Sequence, residues 1–145
     1  MVKHIDEKEY NEEYENSMVG FLGIRFDPDS DSDKEVHATM PVNERTQQPY
    51  KVLCGGASIA LAEILAGYGS WRLLSNEEMP VGATVTANHV SPVKAPSMVH
   101  ATATLLHHGK RTHLWNVDIK TEEGRLVSTV RVLNAIIPKP PQKPA

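Results

Sequence analysis

A chain of 145 residues has the length of one domain, enough to bury a substantial core without disulfides or structural metal. Its 15 basic and 18 acidic side chains leave a formal net charge of -3, which excludes a broad positive field for nucleic acid and makes any anion recognition local. Cys54 is the single cysteine, so no intrachain disulfide forms, and no apolar run has the length of a membrane span or the layout of a signal peptide. A cytoplasmic protein with neither nucleic-acid nor membrane partners is expected.

Residues 1–17 are rich in Glu, Asn and Tyr with few apolar anchors, a peripheral lead-in that forms a helix only by leaning on something else. Met18 to Phe26 is apolar with Gly20 and Gly23 interspersed and predicts a first strand. PDSDSDK then has the chemistry of an exposed turn, and Glu35 to Met40 alternates as a second strand. Asp27, Asp29, Asp31 and Asp33 alternate as EF-hand ligands do, but the central Gly and terminal Glu of that loop are missing, so a solvated turn is the better reading.

The polar loop VNERTQQPY leads to a helix opening on Gly55 and Gly56. From Ala57 to Gly67 nearly every residue is apolar or small, which predicts burial around most of the circumference. Glu63 lies in its middle, where a buried carboxylate needs a partner, a shifted pKa or a chemical purpose. After the expected turn SNEEMP come four β-rich runs, Ala83 to Val90, Met98 to His107, Thr112 to Lys120 and Leu126 to Ile137. The links HGKR and TEEGR are short enough for hairpins. These elements predict an α+β domain over residues 18–137, an antiparallel sheet of about six strands wrapped around one long central helix. Its edges invite pairing with a second copy. Residues 138–145, PKPPQKPA, read as a flexible Pro-rich tail whose two P-x-x-P spacings are also those of SH3-type ligands.

The first amides of a helix lack intrahelical acceptors, and glycine lets a ligand approach closely, so Gly55 and Gly56 are candidates to hold a carbonyl oxygen that becomes an oxyanion. Glu63 would be the base or nucleophile. It lies eight residues beyond Gly55, about 12 Å along the axis, too far for both to touch one carbonyl in one chain. A shared site therefore needs Glu63 from a second, antiparallel subunit, which sets a dimer as the minimum. The bland readings are a structural carboxylate bonded to backbone or to Gln48, and glycines that merely allow close packing. Cys54 at the helix start is a weaker nucleophile candidate, since no His is placed by sequence to activate it. His107 and His108 are adjacent on a strand and point to opposite faces. The other His spacings match no zinc pattern, so no metal is expected.

Gln48, the Cys-Gly-Gly at 54 to 56 and Glu63 fall at the spacing found in the hotdog acyl-CoA thioesterases. MVGFLGIRF, ATMPV, RTQQPY, GGAS, LAE, TANHV and the Gly-Arg of EEGRL extend the match from Met18 to Ile137. The chain resembles the branch containing 1,4-dihydroxy-2-naphthoyl-CoA hydrolase and the phenylacetate-pathway thioesterases. The resemblance implies the hotdog fold, a homodimer or homotetramer, and hydrolysis of an acyl-CoA, aromatic or medium-sized, without a cofactor beyond the coenzyme A of the substrate. It implies that Glu63 attacks the thioester carbonyl or activates water, that the Gly55 amide binds the oxyanion, and that Gln48 helps hold the acyl group. Gly82, His89, Val90, Ser91 and Pro92 resemble a coenzyme A contact region, as do Leu106, His107, His108, Gly109, Lys110 and Arg111. The pair Lys110 and Arg111 could meet phosphate as point charge and fork, or be a solvated hairpin end.

Three departures stand out. Position 54 is commonly His in this branch, orienting the substrate carbonyl, whereas Cys54 is a weak donor. Gly67 replaces a Ser or Thr that handles the attacking water or carboxylate, and Ser91 replaces a basic residue found in some relatives. Two further functions follow as alternatives, an acyl-CoA binding or sensing module with weakened catalysis and a hydratase acting on acyl thioesters. The Glu on the helix favours the thioesterase over the hydratase.

Overall fold

The computed structural model describes residues 2–3 and 10–141. Its framework is a six-stranded antiparallel sheet in the order β1-β2-β4-β5-β6-β3. The strands are β1 (Arg25–Phe26), β2 (Glu35–Val42), β3 (Glu78–His89), β4 (Ser97–His108), β5 (Thr112–Thr121) and β6 (Leu126–Pro138). Alternation along β2 turns Val36, Ala38, Met40 and Val42 inward, and along β5 it turns His113, Trp115, Val117 and Ile119 inward. One long helix, called α2 below (Gly55–Arg72), lies across that inner face and buries Leu61, Ala62, Leu65 and Ala66 completely. Each such Leu contributes about 1.5–3 kcal/mol by leaving water. Gly69 is where helix and sheet touch most closely, since a β-carbon there would stand 2.7 Å from the Trp115 ring.

The polar groups around Ser70 are paired, whereas Tyr68 Oη, Arg72 Nε and Asp31 Oδ2 are buried without a hydrogen-bond partner among the described residues. Ser70 Oγ accepts from Trp115 Nε1 at 2.8 Å and from Asn134 Nδ2 at 3.0 Å, and lies 2.9 Å from His113 Nδ1. With two donors already on its oxygen, the Ser70 hydroxyl gives its own proton to His113 Nδ1. Burial, reinforced by His108 and His107, pushes the His113 pKa down to about 4, so the imidazole is neutral.

The expected strand over Met18 to Phe26 is corrected. Met18–Leu22 is a short helix, α1, followed by the two residues of β1. Ser17 Oγ caps it by accepting the Val19 amide, and Gly23 ends it in the left-handed region at φ 74. Val19 and Leu22, three apart, face the core while Met18 and Phe21 face solvent, a helical rather than a strand period. Four of the other strands appear with slightly longer bounds, whereas the strand expected over Ala83 to Val90 runs from Glu78 to His89, so Val90 lies just beyond it. β3 starts at Glu78, so the expected turn SNEEMP is already strand from its fourth residue. Asp31 Oδ1 accepts the His37 amide at 2.9 Å, which ties the Asp-rich turn to β2.

Much of the lead-in and residues 142–145 of the tail lie outside the described residues. Of the lead-in, Tyr10–Tyr14 forms a π-helical turn, Tyr14 packs edge-on against Phe26, and the Lys3 amide donates to the Arg72 carbonyl at the end of α2. Among the described residues no helix is long and apolar enough to cross a membrane.

Two surfaces stay open. β3 is an edge strand of twelve residues, none of them buried. On α2, the line Gly56, Ala60, Glu63, Gly67 and Trp71 is uncovered or half-covered, at helical spacing. Glu63 is therefore exposed in the single chain, a correction to the expected buried carboxylate. Its neighbours are apolar because they are small, and they face away from the sheet.

Candidate active site

The first half of the site is the N-terminus of α2. Cys54 is its N-cap in extended conformation, and the Cys54 carbonyl accepts the amides of Ala57 and Ser58 at 3.0 and 3.3 Å. The amides of Gly55 and Gly56 have no acceptor among the described residues, so two donors converge at the start of the helix. The Cys54 side chain makes no capping bond. His89, the last residue of β3, lies against Gly55, and a β-carbon on Gly55 would stand 2.7 Å from His89 Nε2. The ring is held from behind by Ser128, whose Oγ is 2.7 Å from His89 Nδ1. Gly55, His89, Val90, Ser91 and Pro92 line one cleft of about 340 Å³ together with Ser58 and Ser128.

Arg125 donates to Ser91 Oγ, and Ser91 Oγ donates to the Leu126 carbonyl. The guanidinium therefore sits beside Ser91 and supplies a cation at that end of the cleft. Arg125 enters the sequence reading only within the matched Gly-Arg of EEGRL, with no place at the site, and Ser128 lies in no motif. They reach the site because β6 pairs with β3 in a register that opposes Ser128 to His89.

Gln48 belongs to the loop entering α2. Its Oε1 accepts the Tyr50 amide at 2.7 Å, which orients the side-chain amide and leaves its NH2 end as the free donor. It forms no bond with Glu63 and lines neither that cleft nor the next.

Glu63 opens onto a second, larger cleft of about 670 Å³. Its carboxylate lies over Gly82 of β3, which has no side chain to displace it. Tyr14, Phe26, Tyr68 and Trp71 make one wall, with Phe26 and Tyr68 stacked at 4.2 Å and Ile64 and Met79 adding apolar surface. Burial, reinforced by the nearby Asp31 carboxylate, pushes the Tyr68 phenol up to about 12, so it remains neutral. A β-carbon at Gly67 would meet nothing within 4 Å. A side chain of the size of Ser or Thr would fit there.

The remaining candidates are elsewhere. Leu106, His107, His108, Gly109, Lys110 and Arg111 form the end of β4 and the turn into β5, and all but Arg111 line clefts with Leu73 or Leu74 beyond the C-terminus of α2. The 18 residues of α2 place them about 27 Å from the Gly55 end. A single chain thus carries two free helix amides at one end, a carboxylate two turns away in another cleft, and a basic hairpin at the opposite end.

Comparisons with known proteins identify the family and the fold. Residues 50–128 match the family model described as the thioesterase superfamily. The chain is 40% identical to 1,4-dihydroxy-2-naphthoyl-CoA hydrolase of Escherichia coli over 123 residues, 85% of this chain and 88% of that one. Solved thioesterases of Pseudomonas aeruginosa and Haemophilus influenzae superpose with TM-scores of 0.87 and 0.86 at 33% and 35% identity. Each alignment covers 94% of this chain, with 97% and 93% of the respective structures. The chain belongs to the thioesterase superfamily and is a hotdog-fold thioesterase.

Proposed function

We propose that the enzyme hydrolyses an acyl-CoA, with an aromatic or medium-sized acyl group, to free acid and coenzyme A in a site shared by two antiparallel copies. The observation that carries this is the separation of the free Gly55 amide and the Glu63 carboxylate into two clefts of one chain. An antiparallel partner brings the Glu63 end of one helix to the Gly55 end of the other. It also brings the Leu106 to Arg111 hairpin of one copy toward the His89 to Pro92 cleft of the other. The uncovered edge strand β3 and the small-residue line of α2 are the surfaces such a partner would cover. Two copies are the minimum, and a tetramer is compatible with the same site.

In this reading the thioester carbonyl lies at the Gly55 amide, with the Gln48 NH2 as a further donor. Glu63 of the facing copy either takes a proton from water as the water oxygen bonds to the carbonyl carbon, or bonds to that carbon itself. Negative charge develops on the carbonyl oxygen in both routes and is met by fixed backbone dipoles. Collapse breaks the C–S bond. In the first route the Glu63 proton goes to the leaving thiolate. In the second, water cleaves the acyl–Glu63 anhydride and restores the carboxylate. The aromatic wall beside Glu63 supports a ring or short chain as the acyl group. Lys110, Arg111 and Arg125 supply cations for the phosphates of coenzyme A.

The test is subunit mixing. Glu63→Ala and Gly55→Val each damage one half of the site, so each alone is expected to release little thiol from acyl-CoA, while a mixed dimer rebuilds one intact site and regains activity. Mixing without recovery, or an active monomer, would defeat the shared site. Full activity of Glu63→Ala would defeat the assigned mechanism. A wild type that binds acyl-CoA without turnover would assign the fold to binding.

A further inference from the structure

The cleft beside Glu63 has a charged far end that hydrolysis does not require. From Glu63 to Trp71 is two turns of α2, about 12 Å, and the walls between are apolar, formed by Ile64, Phe26 and Tyr68. Past Trp71 the lining turns polar, with Lys3, Asn76, Glu78 and Lys139, Glu78 standing opposite Pro138 in the β3–β6 register. Lys3 Nζ lies 5.0 Å from the centre of the Trp71 ring and donates to the Ser75 carbonyl at 3.3 Å. Its pKa is lowered by burial and then by the charge of Lys139. Glu63 and Glu78 are the carboxylates on the cleft, and neither forms an ion pair with either lysine. Indeed, neither lysine has an ion-pair partner among the described residues. Attraction to the carbonyls at the end of α2 accounts for Lys3. It does not account for a second ammonium close enough to oppose the first. Two like charges at the end of an apolar slot lower each other's cost when an anion lies between them.

Taking Glu63 as the reacting end, as proposed above, we propose that the acyl group carries a terminal carboxylate, held between Lys3 and Lys139. The substrates would be CoA monoesters of dicarboxylic acids, with an apolar or aromatic spacer about as long as two helical turns. The stacked Phe26 and Tyr68 flank the spacer, and the carboxylate charge decides between acyl groups of equal length.

Isothermal titration of the Glu63→Gln protein with suberoyl-CoA and octanoyl-CoA tests this without turnover, since the two ligands have equal chain length and differ in one carboxylate. Suberoyl-CoA is expected to bind about tenfold more tightly or better, with the ratio falling as salt is added. Lys139→Met, which leaves the Lys3 bonds to Arg72 and Ser75 intact, is expected to lose part of that ratio, and Lys3→Met with Lys139→Met nearly all of it. Equal binding of the two ligands, or a ratio indifferent to the double substitution, overturns the proposal. Because binding is read in a protein lacking the carboxylate, the preference stands or falls whether or not the wild type hydrolyses either ester.

Discussion

The carboxylate of Glu63 rests on Gly82, so that a β-carbon on that strand residue would overlap Oε1. The obstructed atom is the far end of a flexible side chain, which can swing aside without moving backbone. Gly82→Ala is therefore expected to fold with nearly unchanged stability while displacing the group proposed above to face the thioester. A misplacement of about 1 Å at a reacting group costs roughly 100-fold. Paired kinetic and melting measurements are expected to show turnover slowed by roughly one to two orders of magnitude, with a thermal midpoint close to wild type.

The contact between Gly55 and His89 should behave differently. A β-carbon on Gly55 would approach His89 Nε2 to 2.7 Å, and the ring is tied through Nδ1 to the buried Ser128. To yield, the ring must break that bond, which costs about 1 kcal/mol. Gly55→Ala should thus lower both stability and activity, although alanine is the better helix former. Combining it with His89→Ala should recover the stability but not the activity. Denaturant unfolding of the two single variants and the double variant would give a coupling energy of about 1 kcal/mol.

How much of this is legible in the sequence differs from residue to residue. The alternation of Val36 to Val42 and of His113 to Ile119 announces β2 and β5 by a clear period of two, and the length of the apolar run after Gly55 announces α2. The run MVGFL does not, since five apolar residues fit either period. Its helical signals are the flanking Ser17 and Gly23. The exposure of Glu63 is hidden because Gly56, Ala60 and Gly67 score as core residues by composition, although they lie on a face that the chain's own sheet never reaches. Arg125 belongs to the matched Gly-Arg, but its place at the site is out of reach for another reason. It stands 34 residues from Ser91, and only the pairing of β3 with β6 brings the two ends together. Lys3 and Lys139 are near opposite ends of the chain and meet only at the end of α2.

Cys54 gives a third prediction. The thiol is half-buried, makes no capping bond, and lies close to Gly56, whose β-carbon position is 3.8 Å from Sγ. It is thus beside the two free amides without adding a strong donor. Cys54→His would place an imidazole at the same point and add a hydrogen bond to the developing oxyanion. A single such donor can be worth roughly 100-fold or more when preorganised. An unoptimised ring should still speed turnover about tenfold, and thiol release under saturating acyl-CoA would measure it.

The buried imidazole of His113 makes stability depend on pH in a definite direction. Its side chain is 1% exposed and accepts from Ser70, and its pKa is lowered from 6.5 to about 4. The unfolded chain therefore binds a proton between pH 6.5 and 4 that the folded chain refuses, so stability is fully present above pH 6.5 and is lost as pH falls toward 4. The full shift corresponds to about 3 kcal/mol. Asp31 works the other way, because burial raises its pKa and the folded state takes up a proton more readily than the unfolded one. The two are separated by His113→Asn, which can keep an acceptor for the Ser70 hydroxyl but does not titrate. Urea unfolding of wild type and His113→Asn between about pH 7 and pH 4 should show a steeper acid loss in the wild type. Parallel curves would mean that His113 is protonated in the folded core and that Ser70 no longer donates to it.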